Sequence, residues 1–154
     1  MSGAFKLACS CVCLLASVAG ARADILTFRG TAIATCALAL PIDGVVSLNG
    51  DLKSWSTTTP ASITAINTSS ATLTVTKPTT WATSPAGTPA TTFTTTGTLT
   101  GTNSGNLTGS GASQTGALTN IGTTILAVSL GATSTAPFKS GLHTAEVTVT
   151  CSVP

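Results

Sequence analysis

The sequence predicts an all-β fold, a single antiparallel β-sandwich of Greek-key type, and three observations carry this prediction. Several short segments alternate apolar and polar residues, which is the pattern of half-buried strands. No segment after the first 23 residues repeats its apolar residues with the 3.6-residue period of a helix. About a quarter of residues 24–154 are threonine, a β-branched residue that suits the solvent face of a pleated sheet.

The first 23 residues are interpreted as a cleaved signal peptide. Lys6 supplies a positive charge, residues 7–19 form an apolar run, and Ala21-Arg22-Ala23 matches a cleavage site. The alternative is a membrane anchor, but the run is shorter than the roughly twenty apolar residues that span a bilayer. We therefore expect a mature chain of residues 24–154 that is secreted to the periplasm, the cell surface or the medium, with no membrane span after cleavage.

The mature chain has the size of one domain and no net formal charge. The basic residues are Arg29, Lys53, Lys77 and Lys139, and the acidic residues are Asp24, Asp43, Asp51 and Glu146. A neutral chain lacks the basic surface that binds nucleic acids and anionic membranes, so neither is an expected partner. With 42% hydrophobic residues and few charges, the sequence also differs from that of a disordered chain.

Two cysteines remain after cleavage, Cys36 near the start of the mature chain and Cys151 near its end. In an oxidising compartment the expected state of such a pair is a disulfide. The alternatives are two buried thiols or part of a zinc site, but zinc takes four ligands and the sequence has one histidine. We predict a Cys36–Cys151 bridge, which requires Cα atoms within about 7 Å of each other.

The first predicted strand covers residues 26–40. Its even positions are mostly apolar and its odd positions mostly polar, so Cys36 faces inward. Pro41 and Asp43-Gly44 are expected to end it. A short strand follows over residues 45–48, and Asn49-Gly50 is predicted to form a type I′ turn because that pair tolerates positive φ.

Residues 61–78 are predicted to form a hairpin that turns at residues 67–70. Ile63 and Ile66 lie on its first arm, and Leu73 faces inward on its second arm. Threonine alternates with the apolar residues of the second arm, as expected for a strand with one solvent face.

Trp55 and Trp81 are the only tryptophans in the sequence. Their rings are large and apolar, so we expect each to cover an open end or face of the core. The alternative is that one of the rings is exposed and stacks against a sugar.

Residues 84–122 are rich in glycine and threonine. Their isolated apolar residues predict short strands joined by tight turns, with a partly mobile segment as the alternative. A clearer strand covers residues 123–130. The last predicted strand begins at about His143 and directs alternate residues, including Cys151, toward the core.

Two stretches resemble a known family. The first, ILTFRGTAIATCALALPIDGVVSLNGDL at residues 25–52, resembles the start of bacterial fimbrial subunits assembled by a chaperone and usher, with a G-T-x-x-x-x-C strand followed by a short strand. The second, FKSGLHTAEVTVTCSVP at residues 138–154, resembles the end of those subunits and of the related spore coat U-like secreted domains. The resemblance implies an immunoglobulin-like sandwich that is exported and serves as a filament or coat subunit without catalysis.

The resemblance also implies that such a subunit assembles by β-strand addition, in which a neighbour's N-terminal extension supplies a missing strand. The expected partners are copies of the same chain or other surface and envelope proteins. A donor strand between the first and last strands would hold them about 9–10 Å apart, which a direct disulfide does not span. The Cys36–Cys151 bridge therefore favours a closed sandwich.

Few residues are candidates for catalysis or metal binding. His143 is the only histidine, and a lone histidine in a turn is more often structural than catalytic. Asp43 and Asp51 stand beside turn glycines, where a carboxylate ordinarily bonds to the backbone. A calcium site formed by these two residues and Asn49 matches no known loop spacing.

We therefore predict no catalytic residue, cofactor or metal, and a non-enzymatic exported structural or surface subunit. The first alternative is a secreted recognition module that binds a glycan or another envelope component through Trp55 or Trp81. The second is a small hydrolase that uses His143. Asn67 and Asn106 begin glycosylation sequons, which matter only in a host that glycosylates exported chains.

Overall fold

The computed structural model describes residues 33–154, so the interpreted signal peptide and the first part of the predicted strand at residues 26–40 lie outside the described residues. Within them the chain forms ten β-strands and no helix. The strands are Cys36–Ile42 (β1), Val45–Leu48 (β2), Ser54–Thr59 (β3), Ala61–Asn67 (β4), Ala71–Thr76 (β5), Thr91–Gly101 (β6), Gly105–Asn106 (β7), Ser113–Leu118 (β8), Gly122–Ser134 (β9) and Thr148–Ser152 (β10). No helix in residues 33–154 is long and apolar enough to span a bilayer.

The larger of two sheets contains a long hairpin with bent arms. The first arm is β1 followed by β2, and the second is β3 followed by β4, so that β1 pairs with β4 and β2 with β3. The arms bend at Gly44 and at Pro60, which has no N–H to donate to a ladder. A Cβ atom at Gly44 would lie 2.6 Å from the Ala61 nitrogen, so only glycine allows the two arms to approach this closely.

The long strand β9 is the centre of the larger sheet. One edge pairs first with β4 and then with β3, and the other edge pairs with β6 without a register shift. Where the partner changes from β4 to β3, the Thr57 hydroxyl donates to the Leu130 carbonyl at 2.8 Å and accepts from the Leu130 N–H at 2.7 Å. A side chain thus replaces the main-chain pairing at the change of partner.

The smaller sheet has the strand order β10-β5-β8 and packs against the larger sheet. Both sheets contribute the buried aliphatic residues of the core, which are Ala65, Ala71, Leu73, Val75, Leu99, Leu107, Leu118, Leu126 and Val128. Leu107 follows β7 and lies between Gly97 of the larger sheet and Gly116 of the smaller sheet. A Cβ atom at either glycine would overlap the Leu107 side chain, so the two glycines make room for it.

The disulfide joins the outer strands of the two sheets. Cys36 is in β1 and Cys151 is in β10, and their Cα atoms are 5.8 Å apart. The predicted bridge and the antiparallel β-sandwich are confirmed, whereas the Greek-key connection stays a prediction. The strands predicted within residues 84–122 are also confirmed, as β6, β7 and β8.

The predicted hairpin over residues 61–78 is wrong. β4 belongs to the larger sheet and β5 to the smaller sheet, so the turn between them carries the chain from one layer to the other. Asn67 is 1% exposed, and its side-chain amide donates to the carbonyls of Ser69 at 2.8 Å and Asn120 at 3.0 Å, which holds this corner in place. Ile63 packs against the core while Ile66 is 44% exposed, because residues three apart in a strand point to opposite faces.

Three local predictions also differ from the structure. The type I′ turn at Asn49-Gly50 is wrong: the turn is longer, its Asn49 N–H donates to the Ser54 carbonyl, and Leu52 has the positive φ of 57°. β1 continues past Pro41 through a register shift, with Leu40 at a positive φ of 53°. The last strand begins at Thr148 rather than near His143.

Candidate binding groove and aromatic cluster

A groove opens between the two sheets beside the disulfide. The bridge holds β1 and β10 together at Cys36 and Cys151. Farther along, β1 runs on to Ile42, while residues 145–147 before β10 belong to no strand. β1 and β10 are therefore held together at the disulfide, and the sandwich is open toward the other end of β1.

The groove has a volume of about 520 Å³ and a mainly aliphatic lining. The larger sheet contributes Ile63 and Val128, and the other wall contributes Val147 from the segment before β10 and Val149 from β10 itself. Ile63, Val147 and Val149 are only partly buried although they pack against the core. The floor of the groove is thus core surface that the described residues leave partly uncovered.

Aliphatic side chains on the β1–β2 arm extend this apolar surface outward. Leu40 is 74% exposed, Ile42 is 62% exposed and Val45 is 53% exposed. Ile42 and Val45 both line the groove. Isolated exposed aliphatic residues such as Leu40 are ordinary, but exposed aliphatic residues that line a groove, as Ile42 and Val45 do, are typical of an interaction site.

Two carboxylates, Asp43 and Glu146, lie on opposite walls of the groove. Thr57, Thr59 and Ser62 are also in the lining, and of these the Thr57 hydroxyl is engaged by the Leu130 main chain. The groove therefore combines an apolar floor with polar groups at intervals, which is the composition of sites that bind extended or ring-shaped ligands.

An aromatic cluster lies at one end of the sandwich and adjoins the groove. Trp55 and Trp81 are 5.9 Å apart by ring centroids at an angle of 64°, and Phe93 and Phe138 pack edge-on against Trp81 at 5.0 and 6.0 Å. The two tryptophans were expected to cover open ends or faces separately, but they pack on each other and share one end. Both rings remain half-buried.

His143 completes the aromatic cluster and also lines the groove. It is 8% exposed, and its ring centroid lies 5.1 Å from that of Trp55 and 5.0 Å from that of Trp81. Its Nδ1 is 3.1 Å from the Gly141 carbonyl and its Nε2 is 3.4 Å from the Thr88 hydroxyl. A histidine with a carbonyl and a threonine hydroxyl as its partners lacks the carboxylate that orients a catalytic base.

The acidic residues within residues 33–154 do not gather into a metal site. No group of three His, Cys, Asp or Glu side chains in that part of the chain is placed to hold an ion. Asp51 caps the turn before β3, because its carboxylate accepts from the N–H groups of Lys53 at 2.9 Å and Ser54 at 3.0 Å and from the Ser54 hydroxyl at 2.8 Å. The Lys53 N–H and the Ser54 hydroxyl lower the pKa of Asp51 below its ordinary value.

The two sequon asparagines differ in accessibility. Asn67 is buried at a corner of the fold and its amide is engaged by two carbonyls, so it is inaccessible once the chain has folded. Asn106 is exposed in the short strand β7.

The sequence did not predict the groove, because its walls come from segments about a hundred residues apart. One sequence feature points to the groove. The alternation over residues 143–153 predicts a longer strand than β10, and residues 145–147 alternate in this way but pair with no strand. In comparisons with protein-family models, curated proteins and solved structures, nothing matched this chain.

Proposed function

We propose that this protein is a non-enzymatic, exported structural subunit, and that its groove receives an extended segment of a neighbouring molecule. The observation that carries the proposal is the uncovered core surface in the groove, whose lining includes the exposed Ile42 and Val45. Covering such a surface is favourable by about 25 cal/mol per Å² of apolar area removed from water.

The geometry suits a β-strand as the occupant. Residues 145–147 continue the alternation of β10, because Ala145 and Val147 are half-buried and Glu146 is exposed, and all three line the groove. Their main chain pairs with no other strand in residues 33–154. An incoming strand would gain main-chain hydrogen bonds there and place alternate side chains in the groove.

The disulfide sets the limit of this site. Because Cys36 and Cys151 hold β1 and β10 together, an incoming strand enters from the open end at Ile42 and stops before the bridge. This differs from the complete strand replacement that the resemblance to fimbrial subunits implies. The proposed contact is shorter and leaves the subunit folded on its own.

Assembly of the purified mature chain tests the proposal. We expect filaments or large oligomers by electron microscopy and sedimentation, and we expect Ile42→Glu to prevent them by placing a charge in the groove. Leu142→Glu is the matched control, because Leu142 is 70% exposed and lies outside the groove lining. Wild-type protein that stays monomeric at high concentration, or assembly that survives Ile42→Glu, would contradict the proposal.

A second candidate function is binding of a glycan at the junction of the groove and the aromatic cluster. The observation that favours it is the position of His143, which connects the half-buried rings of Trp55 and Trp81 to a groove whose lining includes threonine and serine residues. Titration with envelope polysaccharides should then shift the tryptophan fluorescence of the protein. An unchanged spectrum that is already blue-shifted would exclude this candidate.

A further inference from the structure

The outer face of the larger sheet carries exposed isoleucines at the end where β1 begins. Ile66 of β4 is 44% exposed and Ile125 of β9 is 46% exposed. The two are diagonal neighbours across the β4–β9 ladder, because Ile66 pairs with Thr123 and Thr64 pairs with Ile125. Residues in such diagonal positions are about 7–8 Å apart, within reach of long side chains.

Two further isoleucines lie at the same end of the sheet. Ile33 is 73% exposed and Ile121 is 66% exposed. The Ile33 carbonyl accepts from the Thr68 hydroxyl at 2.9 Å, which places it beside the end of β4. Ile121 directly precedes Gly122, the first residue of β9. Single exposed aliphatic residues are ordinary, but four at one end of one sheet are typical of an interaction site, and we call them the isoleucine patch.

Small and hydroxyl-bearing side chains surround the centre of the isoleucine patch. Ala37 of β1 lies beside Ile66, and Ala127 lies two residues from Ile125 on β9. The other outward positions of the four strands here are also short, and they hold Ala39, Thr64, Thr98, Thr100 and Thr123. The face is therefore shallow, with raised isoleucines next to depressions over alanines.

The composition of this face limits what binds it. Within residues 33–154, the outward side chains of β1, β4, β6 and β9 include no charged group and no aromatic ring. A nucleic acid would require basic residues, a membrane surface would require basic or aromatic anchors, and a glycan would require a ring to stack on. The face suits a protein surface that is itself uncharged and aliphatic.

We propose that two copies of this chain associate through their isoleucine patches, with the outer faces of their larger sheets stacked about a two-fold axis. Such an axis makes one surface its own partner, so the same residues serve on both copies and no charge is buried. Ile66 and Ile125 of each copy fill the depressions over the alanines of the other, with the sheets about 10 Å apart. Neither isoleucine lines the groove, so the contact is independent of the proposed assembly through it.

The area of the face sets the strength of the contact. Four strands at a spacing of about 4.8 Å, over the seven residue pairs that join β4 and β9, cover roughly 440 Å² on each copy. The two copies together cover about 900 Å², which lies in the range of transient complexes. We therefore expect a reversible dimer that forms with increasing protein concentration. In a larger assembly, each such contact would be strengthened by the others.

Sedimentation of the mature chain tests the contact, and the Ile42→Glu background isolates it from assembly through the groove. In that background we expect Ile125→Glu to raise the dimer dissociation constant more than about tenfold, because each copy then places a carboxylate in an uncharged contact. Ile125→Thr should raise it about threefold, because it removes apolar area but keeps an uncharged β-branched residue in the strand. Leu142→Glu is the control and should leave the dissociation constant unchanged, because Leu142 is exposed outside the patch.

Distances between spin labels locate the contact. Thr98 is exposed at the rim of the patch, whereas Thr72 is exposed on the outer face of the smaller sheet. A dimer stacked through the larger sheets has four layers about 10 Å apart, with the smaller sheets outermost. We therefore expect labels at Thr98→Cys to lie within about 25 Å of each other and labels at Thr72→Cys to lie more than about 30 Å apart.

Three results would overturn the proposal: an Ile42→Glu chain that stays monomeric at all concentrations, a dimer that Ile125→Glu does not weaken, or label distances in the reverse order. A monomer in which Ile125→Cys resists a thiol reagent would overturn it as well. That result would assign the cover of the patch to residues 24–32 of the same chain instead of a second copy.

Discussion

The stability lost on removing the disulfide can be calculated from the length of the loop that it closes. The bridge closes a loop with a sequence separation of 115 residues, and the chain-entropy relation for such a loop gives about 4.8 kcal/mol of stabilisation. For a domain of this size, that corresponds to a fall of roughly 15–20 °C in the unfolding midpoint. We expect Cys36→Ala/Cys151→Ala to show this loss.

Urea unfolding followed by tryptophan fluorescence measures the effect. The double variant should lose stability, and its m-value should rise because the unfolded chain without a crosslink exposes more surface. Wild-type protein in reducing agent should behave like the double variant. Cys36→Ala alone should lose nearly as much as the double variant, because either change removes the whole bridge.

The reasoning is refuted if the double variant loses less than about 1 kcal/mol, since the outer strands β1 and β10 would then be held by packing alone. Equal m-values for oxidised and reduced protein would also contradict it, because the bridge would then not restrict the unfolded chain. An additive loss from the two single variants would show that the cysteines act separately rather than as a pair.

Three further predictions follow from individual side chains. Leu107→Ala should cost about 3 kcal/mol of unfolding free energy, because it empties the space between the two sheets, whereas Leu142→Ala at the surface should cost little in the same urea titration. Folding lowers the pKa of Asp51, so this carboxylate stabilises the folded state above about pH 4 and stops doing so as the pH falls through its folded-state pKa. The difference in unfolding free energy between wild type and Asp51→Asn should therefore shrink in acid. In a glycosylating host, folded protein should accept a glycan at Asn106 and not at Asn67; mass spectrometry of the intact chain and its peptides that finds a glycan at Asn67 would show that this corner opens.

Local alternation predicted the strands well because it depends only on neighbouring residues. It placed β2 at its observed bounds, and it gave the inward orientation of Cys36 and Cys151 that makes their bridge possible. The corner at Asn67 was not predictable in the same way. Its reversal between sheets depends on a hydrogen bond to Asn120, more than fifty residues away in the chain.

The candidate site was predicted only in part. Trp55 and Trp81 were identified as important rings, but their contact depends on the long-range placement of β3 and of the segment before β6. His143 was expected in an ordinary turn, yet it is buried among these rings because the chain before β10 passes through the aromatic cluster. No local pattern in the sequence carries such information, since each of these contacts joins segments from different parts of the chain.

The Cys36–Cys151 bridge also determines when this molecule is able to mature. A polypeptide synthesised from its N-terminus contains Cys36 long before Cys151 is made, and the smaller sheet lacks β10 for the same interval. Formation of the disulfide and completion of the smaller sheet by β10 are therefore late events that occur together. An earlier encounter with an oxidant would leave Cys36 with a mixed disulfide that must be exchanged before the layers close.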